Sequence, residues 1–292
     1  MNRRKPEWVK SKIFAGDKFA RVIRTLKDLQ LHTVCVEAKC PNLGECWNHG
    51  TATFLILGDI CTRNCKFCAT KTGNPRGVVD YEEPERILRA VKEMNLDYVV
   101  ITSVTRDDLP DQGAEIYATT VKLLKKAKPE ILVEVLVPDL RAKLECIKKV
   151  TDAGVDVFAH NVEVVKRLTP SIRDRRASYE TSLATLRIAK ELNRNLFTKS
   201  GFMVGLGETN EEIIQTMREI RDVEVNFLTI GQYLQPSRNH AEVMKYYTPE
   251  EFREFEKIAL SMGFDYVASA PLVRSSYMAG EFYLKTVKRN VI

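Results

Sequence analysis

Phe54-Leu-Ile-Leu-Gly-Asp-Ile-Cys-Thr-Arg-Asn-Cys-Lys-Phe-Cys68 divides into a short apolar run and three cysteines spaced Cys61-x3-Cys65-x2-Cys68. The run Phe54-Leu-Ile-Leu-Gly58 has the length of a buried strand and ends at a glycine. Similar runs recur downstream: Tyr98-Val-Val-Ile-Thr-Ser103, Ile131-Leu-Val-Glu-Val-Leu-Val137, Val155-Asp-Val-Phe-Ala159, residues 198–204, Phe227-Leu-Thr-Ile230 and Phe264-Asp-Tyr-Val-Ala268. Helical periods fit between them. Pro84 suits a first helical turn, and Ile87, Leu88, Val91 and Met94 form a stripe behind it. Leu140, Leu144, Ile147 and Val150 make a second stripe, and Ile213, Ile214, Met217 and Ile220 a third. Thr248-Pro-Glu-Glu251 is a capping box ahead of Phe252, Phe255, Ile258, Ala259 and Met262.

Strands alternating with helices, and apolar on both faces, predict an α/β fold with a parallel sheet covered by helices. About six such units predict a partial (β/α)6 TIM-type barrel. Reactive groups of such barrels sit at the C-terminal ends of the strands. The cysteines after the first strand therefore lie at the mouth. Residues 1–50 form an N-terminal extension with an amphipathic stretch at 17–31, residues 51–270 the partial barrel, and residues 271–292 a C-terminal extension.

The composition, 44% apolar and 29% charged over 292 residues, is that of a globular protein. No run approaches the roughly 18 apolar residues of a membrane span. The basic start Met1-Asn-Arg-Arg-Lys-Pro6 is followed by no apolar run, which argues against a secretory signal. Basic and aromatic residues are not interleaved as in nucleic-acid binders, so neither nucleic acid nor membrane is an expected partner. The net charge of +6 is met by general solubility or by an acidic protein partner.

Six of the seven cysteines lie between Cys35 and Cys68, the first three spaced Cys35-x4-Cys40-x5-Cys46. An odd count speaks against a disulfide framework and for free thiols in a reducing cytoplasm. Three thiolates in a short loop can hold three irons of a four-iron cluster, leaving the fourth open to a small molecule. The alternative is a zinc knuckle completed by His49 or His160, though neither stands at a usual zinc spacing. Cys35, Cys40 and Cys46 match no usual zinc or ferredoxin spacing and form, on chemistry alone, a second three-thiolate site.

Four further motifs follow strands. Asn161 and Glu163 in His160-Asn-Val-Glu163 can hold a ribose diol or cap a helix. Gly205-Leu-Gly-Glu-Thr209 allows close backbone approach, or is a turn with Thr209 or Asn210 capping the next helix. Asp107 and Asp108 in Arg106-Asp-Asp-Leu109 are either catalytic carboxylates or part of a solvated loop. Arg274-Ser-Ser-Tyr277 reads as a polar loop. Cys146 falls on an apolar stripe as a small buried hydrophobe, and His32 and His240 have no evident role.

The second triplet, with Phe67 before its last cysteine, resembles the motif of the radical S-adenosylmethionine enzymes. The chain as a whole resembles the lipoyl synthase family. The residues that carry this are Lys5-Pro-Glu-Trp-Val-Lys10, Val36-Glu-Ala-Lys-Cys-Pro-Asn-Leu-Gly-Glu-Cys-Trp47, the cluster loop, Thr102-Ser-Val-Thr-Arg-Asp-Asp-Leu109, His160-Asn-Val-Glu163, Gly205-Leu-Gly-Glu-Thr209, Gln232-Tyr-Leu-Gln-Pro-Ser237 and Pro271-Leu-Val-Arg-Ser-Ser-Tyr277. The likeness runs from about Lys5 to Tyr283.

The resemblance implies that Cys61, Cys65 and Cys68 hold a 4Fe-4S cluster that binds S-adenosylmethionine. It implies contacts to that cofactor at Phe67, Ser103, Asn161, Glu163, Arg173 and Gly207. It implies an auxiliary 4Fe-4S cluster on Cys35, Cys40 and Cys46, with Ser276 as fourth ligand. The implied reaction places two sulfurs from the auxiliary cluster at C6 and C8 of an octanoyl chain carried on a lysine. The implied partners are the octanoylated lipoyl carrier protein or domain, an electron donor protein and an iron–sulfur carrier that rebuilds the cluster. The sequence departs from the family at Gln112, where a glycine is usual, and at Val164, where threonine is usual. Competing readings are a biotin synthase-like sulfur-inserting enzyme and a non-enzymatic metal-binding or sensor protein.

Overall fold

A computed structural model describes residues 5–10, 16–48, 53–277 and 279–280. His49, Met1–Arg4 and the stretch containing Tyr283 lie outside the described residues. Seven parallel strands form the frame: β1 (Thr53–Ile56), β2 (Tyr98–Ser103), β3 (Leu132–Leu136), β4 (Val157–Ala159), β5 (Phe197–Val204), β6 (Phe227–Gln232) and β7 (Tyr266–Ala270). They pair in chain order, and a two-residue edge strand, His32–Thr33, runs antiparallel to β1. Helices Glu83–Met94 (α2), Ala114–Ala127 (α3), Leu144–Thr151 (α4), Tyr179–Leu192 (α5), Asn210–Asp222 (α6) and Pro249–Ser261 (α7) separate them, and Asp17–Asp28 (α1) precedes the sheet. The expected six strand–helix units are thus present, closed by a seventh strand. The strand order is that of an open partial barrel, with its ends unpaired to each other among the described residues.

Register decides which side chains reach the interior. Leu55 lies opposite Thr102, and Thr102 opposite Leu136, across β1, β2 and β3. These three side chains line the central cavity. Their neighbours Phe54, Ile56, Ile101 and Val135 pack on the other face with Ile87, Val91 and Leu124 of the helices. The N-terminal extension joins the same core through Val22, Leu26 and Trp47. Each fully buried core side chain of this size contributes about 1.5–3 kcal/mol.

Thr209 and Thr248 cap α6 and α7 with reciprocal capping boxes closed by Glu212 and Glu251. The stripe Leu140–Val150 is not one helix. Residues 140–142 form a short turn with positive φ (45°, 50° and 49°), and α4 starts at Leu144, which is 56% exposed. The break has a cause: Asp139 caps that turn by accepting from Arg141 N at 3.0 Å, and its carboxylate is committed to Arg63.

Candidate active site

The chain leaves β1 through a left-handed turn at Leu57 and Gly58 (φ 67° and 82°). Two buried side chains hold it. The Glu83 carboxylate at the start of α2 accepts from Leu57 N at 2.7 Å. The Arg106 guanidinium donates to Leu57 O at 3.2 Å and Val78 O at 2.8 Å while Asp108 pairs with it at 2.8 Å. Beyond the turn, Ile60–Cys61 pairs with Lys71–Thr72 in a two-stranded sheet, so the cysteine loop is zipped at its base.

Inside the loop, Arg63 is 5% exposed and is held by two carboxylates. It donates to Asp107 from Nε at 2.9 Å and from Nη2 at 3.0 Å. It pairs with Asp139 from both terminal nitrogens, one of them at 3.0 Å. Burial works against all three charges, yet the pairing raises the Arg63 pKa and holds both carboxyls below the usual carboxylate range. Asp107 and Asp108 are therefore two braces, Asp107 on Arg63, Arg141 and Arg176 and Asp108 on Arg106, and the solvated-loop reading does not hold for them.

The second half of the loop is tied to other strands' loops. Asn64 N donates to the Asp174 carboxylate at 2.9 Å, and Lys66 N to Ile172 O at 2.8 Å. Two amides point at sulfur: Arg63 N at Cys61 Sγ (3.4 Å) and Asp174 N at Cys65 Sγ (3.3 Å). Ala241 N donates to Lys66 O, and the His240 ring lies 2.9 Å from Cys68 O. Burial pushes the Cys65 thiol up to about 11 and raises that of Cys68. Three partly buried thiols facing one opening, with amide donors on two sulfurs, fit a metal-bound thiolate cluster, whose binding releases the protons.

That opening leads into a cavity of about 310 Å³ at the C-terminal ends of β1–β4, a volume suited to a small-molecule site. Phe67, Ser103, Asn161, Glu163 and Arg173 all line it. Gly207 does not, and its backbone carbonyl accepts from Arg167 at 2.8 Å. No helix begins at Asn161: the next helical turn is Lys166–Leu168. The Asn161 amide instead donates to Ser275 Oγ at 2.6 Å. Glu163 takes a left-handed φ of 69°, costly for a residue with a Cβ, and burial raises its carboxyl against the pull of Arg173. His160 is not a metal ligand. Its Nδ1 donates to Val137 O and its Nε2 meets Ser182 Oγ, both at 2.9 Å. Burial, then Arg173, lowers its pKa to about 4 and keeps it neutral.

The first triplet reaches the same cavity. Cys35 and Cys40 line it together with Ser275 and Ser276. Thr33 Oγ1 accepts from Cys35 N at 3.2 Å, and Cys40 N donates to Cys35 O at 3.0 Å. Burial and then the charges of Cys35 and Cys40 push the Cys46 thiol up to about 12. The Asn42 amide donates to Leu272 O at 2.6 Å and brings the C-terminal segment over the triplet. Gly231 of β6 lets that segment approach: a Cβ there would stand 2.2 Å from Val273 O. None of the seven cysteines forms a disulfide, and Cys146 is 2% exposed within the core.

Sequence reasoning missed Arg63, Glu83 and His240. Their partners lie 76, 26 and 172 residues away, beyond any local signal. His32 sits with Glu37 and Asp59, ligand atoms within 4.8 Å of one another, and Lys71 Nζ already meets Asp59 at 2.5 Å.

Comparison with known proteins gives a consistent picture. The Radical SAM superfamily profile matches residues 55–220, and that of the "N-terminal domain of lipoyl synthase of Radical_SAM family" matches residues 1–40. The chain is 51% identical to "Lipoyl synthase" of Sorangium cellulosum (strain So ce56), covering 97% of this chain and 80% of that one. It is 50% identical to "Lipoyl synthase, apicoplast" of Plasmodium yoelii yoelii, covering 98% of this chain but only 57% of that longer protein. The fold is similar to the FeFe-hydrogenase maturase HydG from Carboxydothermus hydrogenoformans (TM-score 0.56, 12% identity, 79% of this chain and 65% of that one). It is also similar to Streptococcus suis SuiB bound to precursor peptide SuiA (TM-score 0.57, 13% identity, 78% and 52%).

Proposed function

The chain belongs to the lipoyl synthase family of the radical SAM superfamily, and we propose that it inserts two sulfur atoms at C6 and C8 of an octanoyl chain borne on a lysine of a lipoyl carrier protein or domain. One observation carries this reading. Cys35 and Cys40, all three of Cys61, Cys65 and Cys68, and the pair Ser275-Ser276 line a single cavity. A radical source and a sulfur source opening on one pocket are what two sequential C–H to C–S conversions on one chain require.

Cys61, Cys65 and Cys68 would hold a 4Fe-4S cluster, which with S-adenosylmethionine bound would supply the radical chemistry that removes hydrogen from an unactivated carbon. The protein's share is positioning and exclusion of water. Arg63, Asp107 and Asp139 fix the entry of the loop, and Asp174 fixes its middle. Glu163, Asn161 and Arg173 offer polar contacts for the cofactor's charged and hydroxyl groups, and Phe67 an aromatic face. Leu55, Leu136 and Val137 give the cavity an apolar wall suited to an alkyl chain. The auxiliary 4Fe-4S cluster enters as the sulfur-donating substrate, held by Cys35, Cys40 and Cys46. Ser276 is the candidate fourth ligand, on a wall shared with two of those thiols.

An electron donor protein and an iron–sulfur carrier complete the cycle. Seven unbridged thiols support a reducing compartment such as the cytoplasm. No helix among the described residues is long and apolar enough to cross a membrane.

The test is anaerobic incubation of the reconstituted protein with S-adenosylmethionine, a reductant and an octanoyl-lysine peptide. The expected product is peptide carrying two added sulfurs, with 5′-deoxyadenosine alongside. Deoxyadenosine without sulfur in the peptide refutes the sulfur-insertion reading. Stoichiometric zinc with no iron refutes the cluster.

A further inference from the structure

The connection from β6 to α7, residues 233–248, crosses the mouth and meets the cysteine loop at two adjacent points. Ala241 N donates to Lys66 O at 2.9 Å, and the His240 Nε2 stands 2.9 Å from Cys68 O. Lys66 and Cys68 flank Phe67, so this crossing grips the last turn of the loop.

The partners of the ring define its tautomer. A carbonyl oxygen only accepts, so Nε2 must carry the proton that it gives to Cys68 O. The other nitrogen, Nδ1, lies 2.8 Å from Ser237 Oγ, which donates to it in the neutral tautomer. Ser237 Oγ in turn accepts from Asn239 N at 3.4 Å. The backbone on either side is also held. Gln235 Nε2 donates to His240 O at 2.9 Å, and the Tyr233 hydroxyl to Ala241 O at 2.8 Å. Tyr233 is 1% exposed, so the crossing is anchored in the core rather than draped on the surface.

We propose that His240 is a positioning residue for the third cluster thiol, acting through its Nε2–H bond to the Cys68 carbonyl. Cys61 lies in the two-stranded base and Cys65 Sγ accepts from Asp174 N, whereas Cys68 is held within the loop by its amide on Cys65 O at 3.1 Å and, from outside the loop, by His240. Cys68 ends the loop where the chain turns away toward Lys71. Fixing its peptide plane restrains the Cα–Cβ direction, and the contact of Cys68 Sγ with Thr70 Oγ1 at 3.3 Å restrains the sulfur about that bond. The inference rests on the proposed function only in taking Cys68 as a cluster ligand.

The experiment compares His240→Phe, His240→Gln and His240→Asn in the full chain, reconstituted anaerobically. Iron content, the low-temperature EPR spectrum of the reduced protein with and without S-adenosylmethionine, and the rate of 5′-deoxyadenosine formation are measured. Outer-shell partners of metal ligands are worth about 10- to 100-fold in affinity or activity. His240→Phe should lose about that much in cofactor cleavage, with a shifted and broadened cofactor-responsive EPR signal. His240→Gln keeps a neutral N–H at similar reach and should restore the wild-type spectrum. His240→Asn is one methylene shorter and should behave as Phe. If the Phe variant does not fold, the Gln and Asn pair decides, and identical spectra in these two overturn the inference. A wild-type signal retained in a folded His240→Phe overturns it as well. Wild-type protein with no cofactor-responsive signal would overturn the cluster assignment and this inference together.

Discussion

Replacing Arg63 with methionine keeps the length of the side chain and removes its charge. The side chains of Arg63, Asp107 and Asp139 are 4%, 5% and 1% exposed. In Arg63→Met, Asp107 retains Arg141 and Arg176, but Asp139 keeps only the backbone amide of its own turn. A buried carboxylate that loses its partner costs about 3–5 kcal/mol. That is roughly a hundredfold to several thousandfold in the folding equilibrium, at 1.4 kcal/mol per factor of ten. The assay is equilibrium urea unfolding of the metal-free protein at neutral pH, so that no cluster contributes. Arg63→Met with Asp139→Leu should recover a large part of the loss, because the orphaned charge goes with its partner. A loss under about 1 kcal/mol in the single variant would match an exposed ion pair and refute the clamp.

Glu83 gives a pH signature. Burial raises its carboxyl from 4.5 to about 7, so its contribution to stability is full below about pH 4.5 and is lost as pH rises through about 7, up to about 3 kcal/mol in all. Glu83→Gln should flatten that slope in pH-dependent urea unfolding; an unchanged slope refutes the assignment. Ser276→Cys should still assemble both clusters but fail to transfer sulfur, and full turnover in that variant removes any special role for the serine. Anaerobic reconstitution should give about eight irons per chain for two cubane clusters. The combined Cys35→Ala, Cys40→Ala and Cys46→Ala variant should give about four, cleave S-adenosylmethionine and add no sulfur, whereas a sulfur-containing product refutes the auxiliary site as donor.

Strands such as Thr53–Ile56 and Phe227–Gln232 were legible because they are short runs buried throughout, whereas Tyr266–Ala270 alternates between buried and half-buried residues. The capping box at Thr248 was legible because its chemistry is local, while at the preceding helix the choice between Thr209 and Asn210 was open and the structure settles it on Thr209. The two cysteine triplets stand out in the sequence because their spacing is local, but that Cys35, Cys40, Cys61, Cys65 and Cys68 open on one cavity is a product of the fold. The apparent helix across Leu140 was misread because its apolar period continues through a backbone break that serves Arg63, a partner 76 residues away. The helices Ala114–Ala127 and Tyr179–Leu192 carried weaker stripes because they bury polar side chains, among them Thr120, Ser182 and Thr185. Asp107 and Asp108 look alike in sequence, and only the fold assigns them to different arginines. His240 acquires its role from a loop encoded 172 residues earlier.

The bond from Asn42 to the Leu272 carbonyl spans 230 residues. Its consequence is one of timing on the ribosome. The strands pair with sequence neighbours and can assemble as the chain emerges, but the first triplet cannot gain its cover until Leu272 has been made. At about 5–20 residues per second, that delay is roughly 10 to 50 seconds. During it the cysteines translated first are the last to be enclosed. A stop codon shortly before Leu272 should therefore leave Cys35, Cys40 and Cys46 without that cover, read as faster alkylation of these thiols in the truncated protein.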